Sequence, residues 1–291
     1  MNALGVTVSG IVTVALALLP AAQSRRTVHL EGADCSQNSV QFGDLEVARA
    51  EQRATVPFSV GVLDVQPETN GGVKILRGSG SDYAITACIA ASGDTVAEAQ
   101  QAADAVRIAV TGNRVRVENP ARAKNWTVQL MVEAPDGARI TAETTNGPIG
   151  IEGASGQFNV RASNGPIGLQ DVSGEVTARA ANGPIGVDGS RGTFDVETSN
   201  GPISVTLQGT RWDGRLDARA HNGPLSVSLP DKYESGVEIS SSDHSPWSCR
   251  VAACRSGNRD WDDRSRSLRI GPDPVVVRIS TVNGPVTVRD R

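Results

Sequence analysis

Six copies of one short motif, asparagine–glycine–proline followed by an aliphatic residue, stand out in this chain of 291 residues. The asparagines of the six copies are Asn146, Asn164, Asn182, Asn200, Asn222 and Asn283. The first four follow one another at steps of 18 residues, and the next step is 22 residues. A fixed period near 20 residues is typical of proteins in which successive repeats stack on one another. The spacing therefore predicts a stack of short coils.

Within each repeat, apolar residues alternate with polar ones, which is the pattern of a half-buried β-strand. In one repeat, Phe158 and Val160 precede the asparagine, and Ile167 and Leu169 follow the proline. Each coil is thus expected to carry two short strands joined by glycine-rich corners. Copies of a strand one coil apart would pair in parallel. The predicted fold is therefore all-β, a parallel β-solenoid with coils of about 18 residues.

The motif asparagine has the same parity as the apolar residues of the strand before it, so its side chain is expected to point inward. Copies one coil apart would lie about 4.8 Å from each other, the distance at which stacked amides bond to one another. The glycine would accept backbone angles that other residues resist, and the proline would fix the turn. The six asparagines are therefore predicted to form an internal structural column, in preference to a row that binds a ligand.

The N-terminal residues 1–24 carry no charged side chain, and an apolar run extends from about Gly5 to Leu19. A proline and small residues follow this run, which predicts a secretory signal peptide. The alternative is an uncleaved anchor, because Arg25 and Arg26 follow the run and no basic residue precedes it. The protein is therefore expected to be exported, to the periplasm or the cell exterior.

The rest of the chain divides by its pattern into residues 25–125, with early coils, and residues 126–291, with the clear repeats. A short helix is predicted at 94–108, where an Asp–Thr start precedes apolar residues at helical spacing. The sequence "TNGGVKI" at 69–75 predicts an earlier corner of the same kind. One polar excursion loop, 242–267, interrupts the repeats.

The four cysteines of the chain are compatible with export, because disulfides persist in oxidising compartments. Cys249 and Cys254 are close enough in sequence to close a local loop, which leaves Cys35 to pair with Cys88. No CxxC pair of the kind that binds zinc is present, and neither a metal nor a cofactor is expected.

The charge and the motifs restrict the function classes. A net charge of −4 gives no global basic field, so nucleic acid is not expected as a partner. None of the common catalytic motifs occurs, and the protein is expected not to be an enzyme. A carbohydrate-active β-helix enzyme or a glycan-binding protein is the alternative, because Asp195 and Glu197 lie two residues apart on one outward strand face. Arginines in the same columns explain this pair equally well as part of a solvated face of mixed charge.

The excursion loop is the strongest candidate for a binding site, since loops of this length are often functional. It holds two of the four tryptophans and five arginines. Tryptophan and arginine dominate binding hot spots. The candidate contact residues are Trp247, Trp261, Arg250, Arg255 and Arg259. The alternative is that the two tryptophans cap the end of the hydrophobic core.

The NGPI corners, the strand "LMVEAPDGARI", the small helix after a first coil and the export signal together resemble a large bacterial family. Its members are exported β-strand-repeat proteins described as "putative adhesins". The resemblance covers about residues 55–291 and implies the repeat fold but no catalytic residue. The proline after each corner glycine departs from the family, whose members often carry polar residues there.

Together with this resemblance, the sequence predicts an adhesin-like interaction or structural protein of the cell envelope that has no enzymatic activity. Its partner is expected to be an envelope component, either a protein or a glycan. The ends of the coil stack are expected to support self-association.

Overall fold

Two large β-sheets face each other across one hydrophobic core, one with 12 strands and the other with 11. The computed structural model describes residues 26–30, 35, 38–67, 69–119 and 125–291. The predicted signal peptide at residues 1–24 lies outside these ranges.

The strands are numbered in chain order, and a separate hairpin consists of β1 (Arg26–Leu30) and β2 (Asn38–Phe42). The twelve-stranded sheet contains β4 (Val62–Gln66), β7 (Arg107–Thr111), β8 (Arg114–Glu118), β10 (Ala138–Thr144), β12 (Ser155–Asn164), β14 (Ser173–Asn182), β16 (Arg191–Asn200), β18 (Asp213–Asn222), β20 (Gly236–Ser242), β22 (Asn258–Trp261), β23 (Ser265–Ile270) and β24 (Val275–Asn283). The eleven-stranded sheet contains β3 (Glu46–Val56), β5 (Gly71–Arg77), β6 (Tyr83–Gly93), β9 (Trp126–Ala134), β11 (Ile149–Glu152), β13 (Ile167–Gln170), β15 (Ile185–Gly189), β17 (Ile203–Leu207), β19 (Leu225–Leu229), β21 (Trp247–Cys249) and β25 (Val286–Asp290). The described helices are α1 (Val96–Ala105) and α2 (Ala253–Ser256), and a 3₁₀ turn lies at Phe58–Val60.

In the central repeats the chain passes alternately through the two sheets. From β10 to β19, each strand pairs in parallel with its copy one repeat later, so that Phe158 aligns with Val176. The inward residues of these strands are buried in the common core. The predicted register and apolar columns are therefore confirmed. The early corner at 69–75 is confirmed as well, because Val73 aligns with Ile149.

The predicted solenoid itself is wrong, because the two sheets are open and mixed rather than a regular coil. Antiparallel pairs lie at the ends of the sheets, such as β3 with β6 and β20 with β23. The stacking order also departs from the chain order. The pair β4 and β5 lies between β8–β9 and β10–β11, and the pair β24 and β25 lies between β18–β19 and β20–β21. The 18-residue period covers only the middle of the chain, so no repeat predicts how the outer strands pair.

The corner asparagines form a hydrogen-bonded ladder on the protein surface. Nδ2 of Asn164 donates to Oδ1 of Asn146 at 3.1 Å, and each later copy bonds to the one before it in the same way. All six side chains are exposed, so the prediction of an internal column is wrong. The last inward residue of the strand comes two positions earlier. In one repeat it is Thr198, whose hydroxyl donates to the carbonyl of Gly183 at 3.0 Å.

The corner glycines make the closest backbone contact along the stack. A Cβ on Gly183 would lie 2.2 Å from the carbonyl oxygen of Gly165, and the other five motif glycines are equally crowded. None of the six has a positive φ. Glycine is therefore required by close approach and not, as expected, by its backbone angles. Beside it, the carbonyl of Pro184 accepts the N–H of Ile167 at 2.9 Å, which continues the ladder through the corner.

Helix α1 lies at the end of the stack where β3 and β7 are the outermost strands, and it is shorter than the predicted 94–108. Thr95 caps the helix by accepting the N–H of Glu98 at 3.2 Å. Ala99 and Ala103 pack into the core, where their small side chains let the helix approach the sheet closely. Within the described residues, neither helix is long and apolar enough to cross a membrane.

Both predicted disulfides are present, Cys35–Cys88 and Cys249–Cys254, and no described cysteine is free. The first one ties the segment before β2 to β6. Val40 and Phe42 of β2 pack against Ala90 on the outer face of the same strand. The pairs are compatible with an exported protein, since disulfides persist outside the reducing cytosol.

The glycine contact predicts a sharp difference between two glycines of one repeat. Gly183→Ala should destabilise the protein by about 3 kcal/mol, because its Cβ would overlap the Gly165 carbonyl. Gly186→Ala meets no atom within 4 Å and should be neutral or stabilising by up to about 1 kcal/mol. Denaturant unfolding of both variants measures the difference, and equal effects would contradict the close stacking of the corners.

The asparagine ladder on the surface predicts a modest loss of stability when one of its amides is removed. Asn182 both donates to Asn164 and accepts from Asn200, whereas Asn283 at the end only donates to Asn222. Asn182→Ala should therefore lower the free energy of unfolding by about 1 kcal/mol, and Asn283→Ala by about half as much. Thermal melts of both variants report this order, and a cost well above 3 kcal/mol for Asn182 would indicate a buried side chain instead.

Candidate functional site

The predicted excursion loop at 242–267 is folded, and it caps one end of the stack. It contains β21, α2, β22 and the start of β23, which extend both sheets beyond β24 and β25. Val251, Cys254 and Leu268, in or next to this segment, are buried in the main core. Of the two tryptophans that the alternative placed over the core, Trp247 packs against it and Trp261 is exposed, so the alternative holds for Trp247 alone.

The first half of this cap is a seventh proline-containing corner, which was not predicted from the sequence. Ile239 pairs with Ile279, and Trp247 pairs with Val286 in the next strand of the repeat. The carbonyl of Pro246 accepts the N–H of Val286 at 2.8 Å, the same bond that the proline makes in the other corners. One extra residue and a Ser–Pro in place of Gly–Pro hide this copy in the sequence. The Ser–Pro that follows an alternating strand was the signal available.

Trp261, on β22, is the exposed centre of this end of the protein. Half of its surface is accessible, at 50%, and its ring centroid lies 6.2 Å from that of Trp247. The guanidinium carbons of Arg259 and Arg266 lie 5.7 and 5.1 Å from the centroid of the Trp261 ring. These distances are within the range of cation–π attraction. Trp247 is held in turn by its Nε1, which donates to Ser241 Oγ at 2.7 Å.

The structure brings together only some of the predicted contact residues. Trp247, Trp261 and Arg259 meet, whereas Arg250 and Arg255 are exposed and make no described contact with either indole. Arg266 was not predicted, although it faces Trp261 directly across the antiparallel β22–β23 pair. Cross-strand neighbours cannot be assigned until a segment is known to form a hairpin. We name Trp247, Trp261, Arg259 and Arg266 the tryptophan–arginine cluster.

The turn between β22 and β23 fixes the geometry of the cluster. Oδ1 of Asp262 accepts the N–H groups of Arg264 and Ser265, each at 2.7 Å. These backbone hydrogen bonds favour the carboxylate and hold the pKa of Asp262 below its usual value. The hairpin is therefore closed at neutral pH, and it keeps the exposed indole and its arginines in register.

The end that carries the cluster differs in charge from the rest of the protein. Residues 243–270 contain six arginines and four aspartates, although the whole chain has a net charge of −4. Two of the arginines, Arg259 and Arg266, reach over the exposed ring of Trp261, so this end combines positive charge with apolar area. Such a surface suits a partner that carries negative charge.

The enzyme alternative depended on the carboxylates of Asp195 and Glu197. Arg179 forms ion pairs with both, Arg219 lies 3.0 Å from Asp195, and His221 lies 3.0 Å from Glu197. Burial alone would raise the pKa of Asp195, but the hydrogen bonds and charges of the two arginines outweigh it and hold that pKa below its usual value. A general acid for glycoside hydrolysis needs the opposite shift. This geometry matches the solvated face of mixed charge.

Two further features concern metal binding and the capped end of the stack. In the described part of the chain, no three His, Cys, Asp or Glu side chains lie close enough together to hold a metal ion. A shallow depression of about 560 Å³ at the capped end is lined by Tyr233 among others. The Tyr233 hydroxyl is buried without a hydrogen-bond partner among the described residues, and burial raises its pKa above the usual value.

The charge network predicts a pH dependence of stability. A carboxyl whose pKa is depressed in the folded state stabilises the protein above its usual pKa of 3.8, and this contribution disappears as the pH falls through the folded pKa. Asp195→Asn should therefore lower the melting temperature at pH 7, and its difference from the parent protein should shrink below pH 3.8. Thermal melts of both proteins across this pH range test the prediction. A difference in melting temperature that grows in acid would contradict a lowered pKa of Asp195.

Comparison with known proteins finds no family model and no curated protein that matches the chain. Among solved structures, a "putative cell adhesion protein" of Clostridium sporogenes is 9% identical and covers 84% of this chain and 100% of its own, with a TM-score of 0.30. A "putative adhesin" of Bacteroides fragilis is 10% identical, with coverages of 84% and 97% and a TM-score of 0.34. A "putative lipid binding protein" of Parabacteroides distasonis is 10% identical, with coverages of 82% and 96% and a TM-score of 0.29.

Two of these three names agree with the family that the sequence resembles. At such identities and TM-scores, the likeness carries no argument about what this chain binds. The structures similar to this all-β chain are thus named as adhesins, as a cell adhesion protein and as a lipid-binding protein.

Proposed function

We propose that this chain is an exported, adhesin-like binding protein that contacts a negatively charged envelope component through its tryptophan–arginine cluster. The observation that carries the proposal is Trp261, a large apolar side chain that stays half exposed while its neighbours hold it in place. The predicted signal sequence and the two disulfides support export.

The fixed position of Trp261 favours binding over mere packing. Trp247 and two arginines already restrict the indole, so little side-chain freedom remains to be lost when a partner covers it. Tryptophan and arginine side chains in this setting contribute most of the free energy at binding hot spots. A side chain needed only to close the core would be buried, as Trp212 is at another position of the stack.

The position of the cluster fits contact with a large partner. It lies on β21, β22 and β23, and β21 and β22 are the outermost strands at this end of the two sheets. A long, rigid stack of paired strands presents that end without any further element to cover it in the described chain. The positive charge of this end selects an anionic surface, such as an acidic glycan or an acidic protein face.

Substitution of the exposed tryptophan tests the proposal. Purified protein would be titrated against isolated envelope fractions immobilised on a sensor, at low and at high salt. Trp261→Ala should weaken binding at least about tenfold, because it removes the central contact. Arg259→Gln should weaken binding less but should also reduce its dependence on salt, since one charge is lost.

Val96→Ala is the matched control, because Val96 is an apolar residue with 64% of its surface exposed, on helix α1 at the opposite end. It should bind as the parent protein does. Thermal melts confirm that all variants are folded. Unchanged binding by folded Trp261→Ala would show that the tryptophan–arginine cluster is not the contact surface. If none of the proteins, including the parent, bound the envelope fractions, the proposed function itself would be contradicted.

A further inference from the structure

The strand β3 is the longest edge that the described part of the protein presents. It has 11 residues, whereas the other terminal strands β7, β21 and β22 have 5, 3 and 4. Its one neighbour in the sheet is β6, with which it pairs in unbroken antiparallel register at every position. Alternate backbone N–H and C=O groups of an edge strand point away from the sheet and can pair with another chain.

This edge is also uninterrupted and anchored to the other sheet. The sequence of β3, EVARAEQRATV, has no proline or glycine that would interrupt a ladder. From its inner side, Gln52 donates to the carbonyl of Val106 at 2.6 Å and accepts the N–H of Ile108 at 2.9 Å. These two bonds tie the middle of β3 to the start of β7 in the other sheet.

The charges on the outer face of β3 select one pairing. Arg49, Glu51 and Arg53 alternate in sign along this face, and Glu51 bonds to Arg53 at 2.7 Å. Arg49 has no ion pair among the described residues. If two copies pair antiparallel about a two-fold axis at Ala50, each Arg49 lies opposite Glu51 of the second copy. Opposite charges that face each other across a strand pair are stabilising.

Shifting the axis by one residue reverses this match. With the axis at Glu51, that carboxylate would face itself and Arg49 would face Arg53 of the second copy, so every charged pair would repel. The edge at the other end gives no comparable match. Self-pairing of β22 about Asp260 or Arg259 places the same charge opposite itself, which disfavours association at the end that holds the tryptophan–arginine cluster.

We propose that two copies of this chain associate through their β3 strands, antiparallel and centred on Ala50, into one continuous sheet. The contact is isologous, so it closes as a dimer and does not propagate into a fibre. The two tryptophan–arginine clusters then lie at the far ends of the dimer and face away from each other. Such an arrangement allows one dimer to engage two partners at once.

Charge reversal at the centre of the interface tests the register. The purified full chain should show twice the single-chain mass in sedimentation or light-scattering experiments. Arg49→Glu and Glu51→Arg should each weaken the dimer by about tenfold, because each replaces two attractive pairs by repulsive ones. The double variant Arg49→Glu/Glu51→Arg should restore association. Arg53→Ala should leave it unchanged, since Arg53 faces Val47 of the second copy in this register.

Crosslinking distinguishes this dimer from any other. Ala50→Cys lies opposite itself, so oxidation should give a covalent dimer, whereas the control Thr55→Cys should give none. A monomer at about 100 μM, or a dimer that neither charge reversal weakens, would overturn the proposal. Crosslinking through Gln52→Cys but not Ala50→Cys would also overturn it, because that pattern places the axis at another residue.

Discussion

The close approach of one corner backbone to the next is the constraint on which the repeat structure depends. Paired strands lie about 4.8 Å apart, and the corner must keep the same spacing if both sheets are to continue through it. At Gly183 the carbonyl of Gly165 occupies the place where a Cβ would begin. Only glycine can stand there in every copy. The asparagine amides and proline carbonyls then come within bonding distance because the backbone has already been brought so close.

Charged and amide side chains on the surface of the repeat region bond to one another. The two ends of the stack are therefore the places where new contacts can form. On the face of the twelve-stranded sheet, Arg179 engages both Asp195 and Glu197. At the corners, each motif asparagine amide forms a hydrogen bond with the amide of a neighbouring copy. The ends differ from one another. Helix α1 and the long strand β3 close one of them, and the other is closed by the Pro246 corner and by β22, which carries the exposed Trp261. A partner and a second copy would therefore meet different ends of the same stack.

Much of the interior could be read from the sequence, because its pattern is repeated at a short and constant separation. The columns of Phe158 and Ile167, the start of helix α1 at Thr95 and the Cys249–Cys254 disulfide follow from local residues, and the Cys35–Cys88 pair follows by elimination. The candidate site could be predicted only in part. Trp261 stood out by composition, but its partner Arg266 became visible only once β22 and β23 formed a hairpin.

The sequence by itself determined that the chain is all-β, that its repeats pair in parallel and which residues face the core. These properties depend on a two-residue alternation and an 18-residue period, both of which are written along the chain. Only the tertiary structure decided the order of strands at the two ends, the exposure of the asparagine ladder and the neighbours of Trp261. Pairs such as Leu63 with Ile140 join segments that share no repeat, so no local pattern predicts them. The alternation of inward and outward positions along a strand likewise does not show where the backbone leaves the sheet. Asn164 occupies an inward position by this alternation, but it is exposed because the strand ends there.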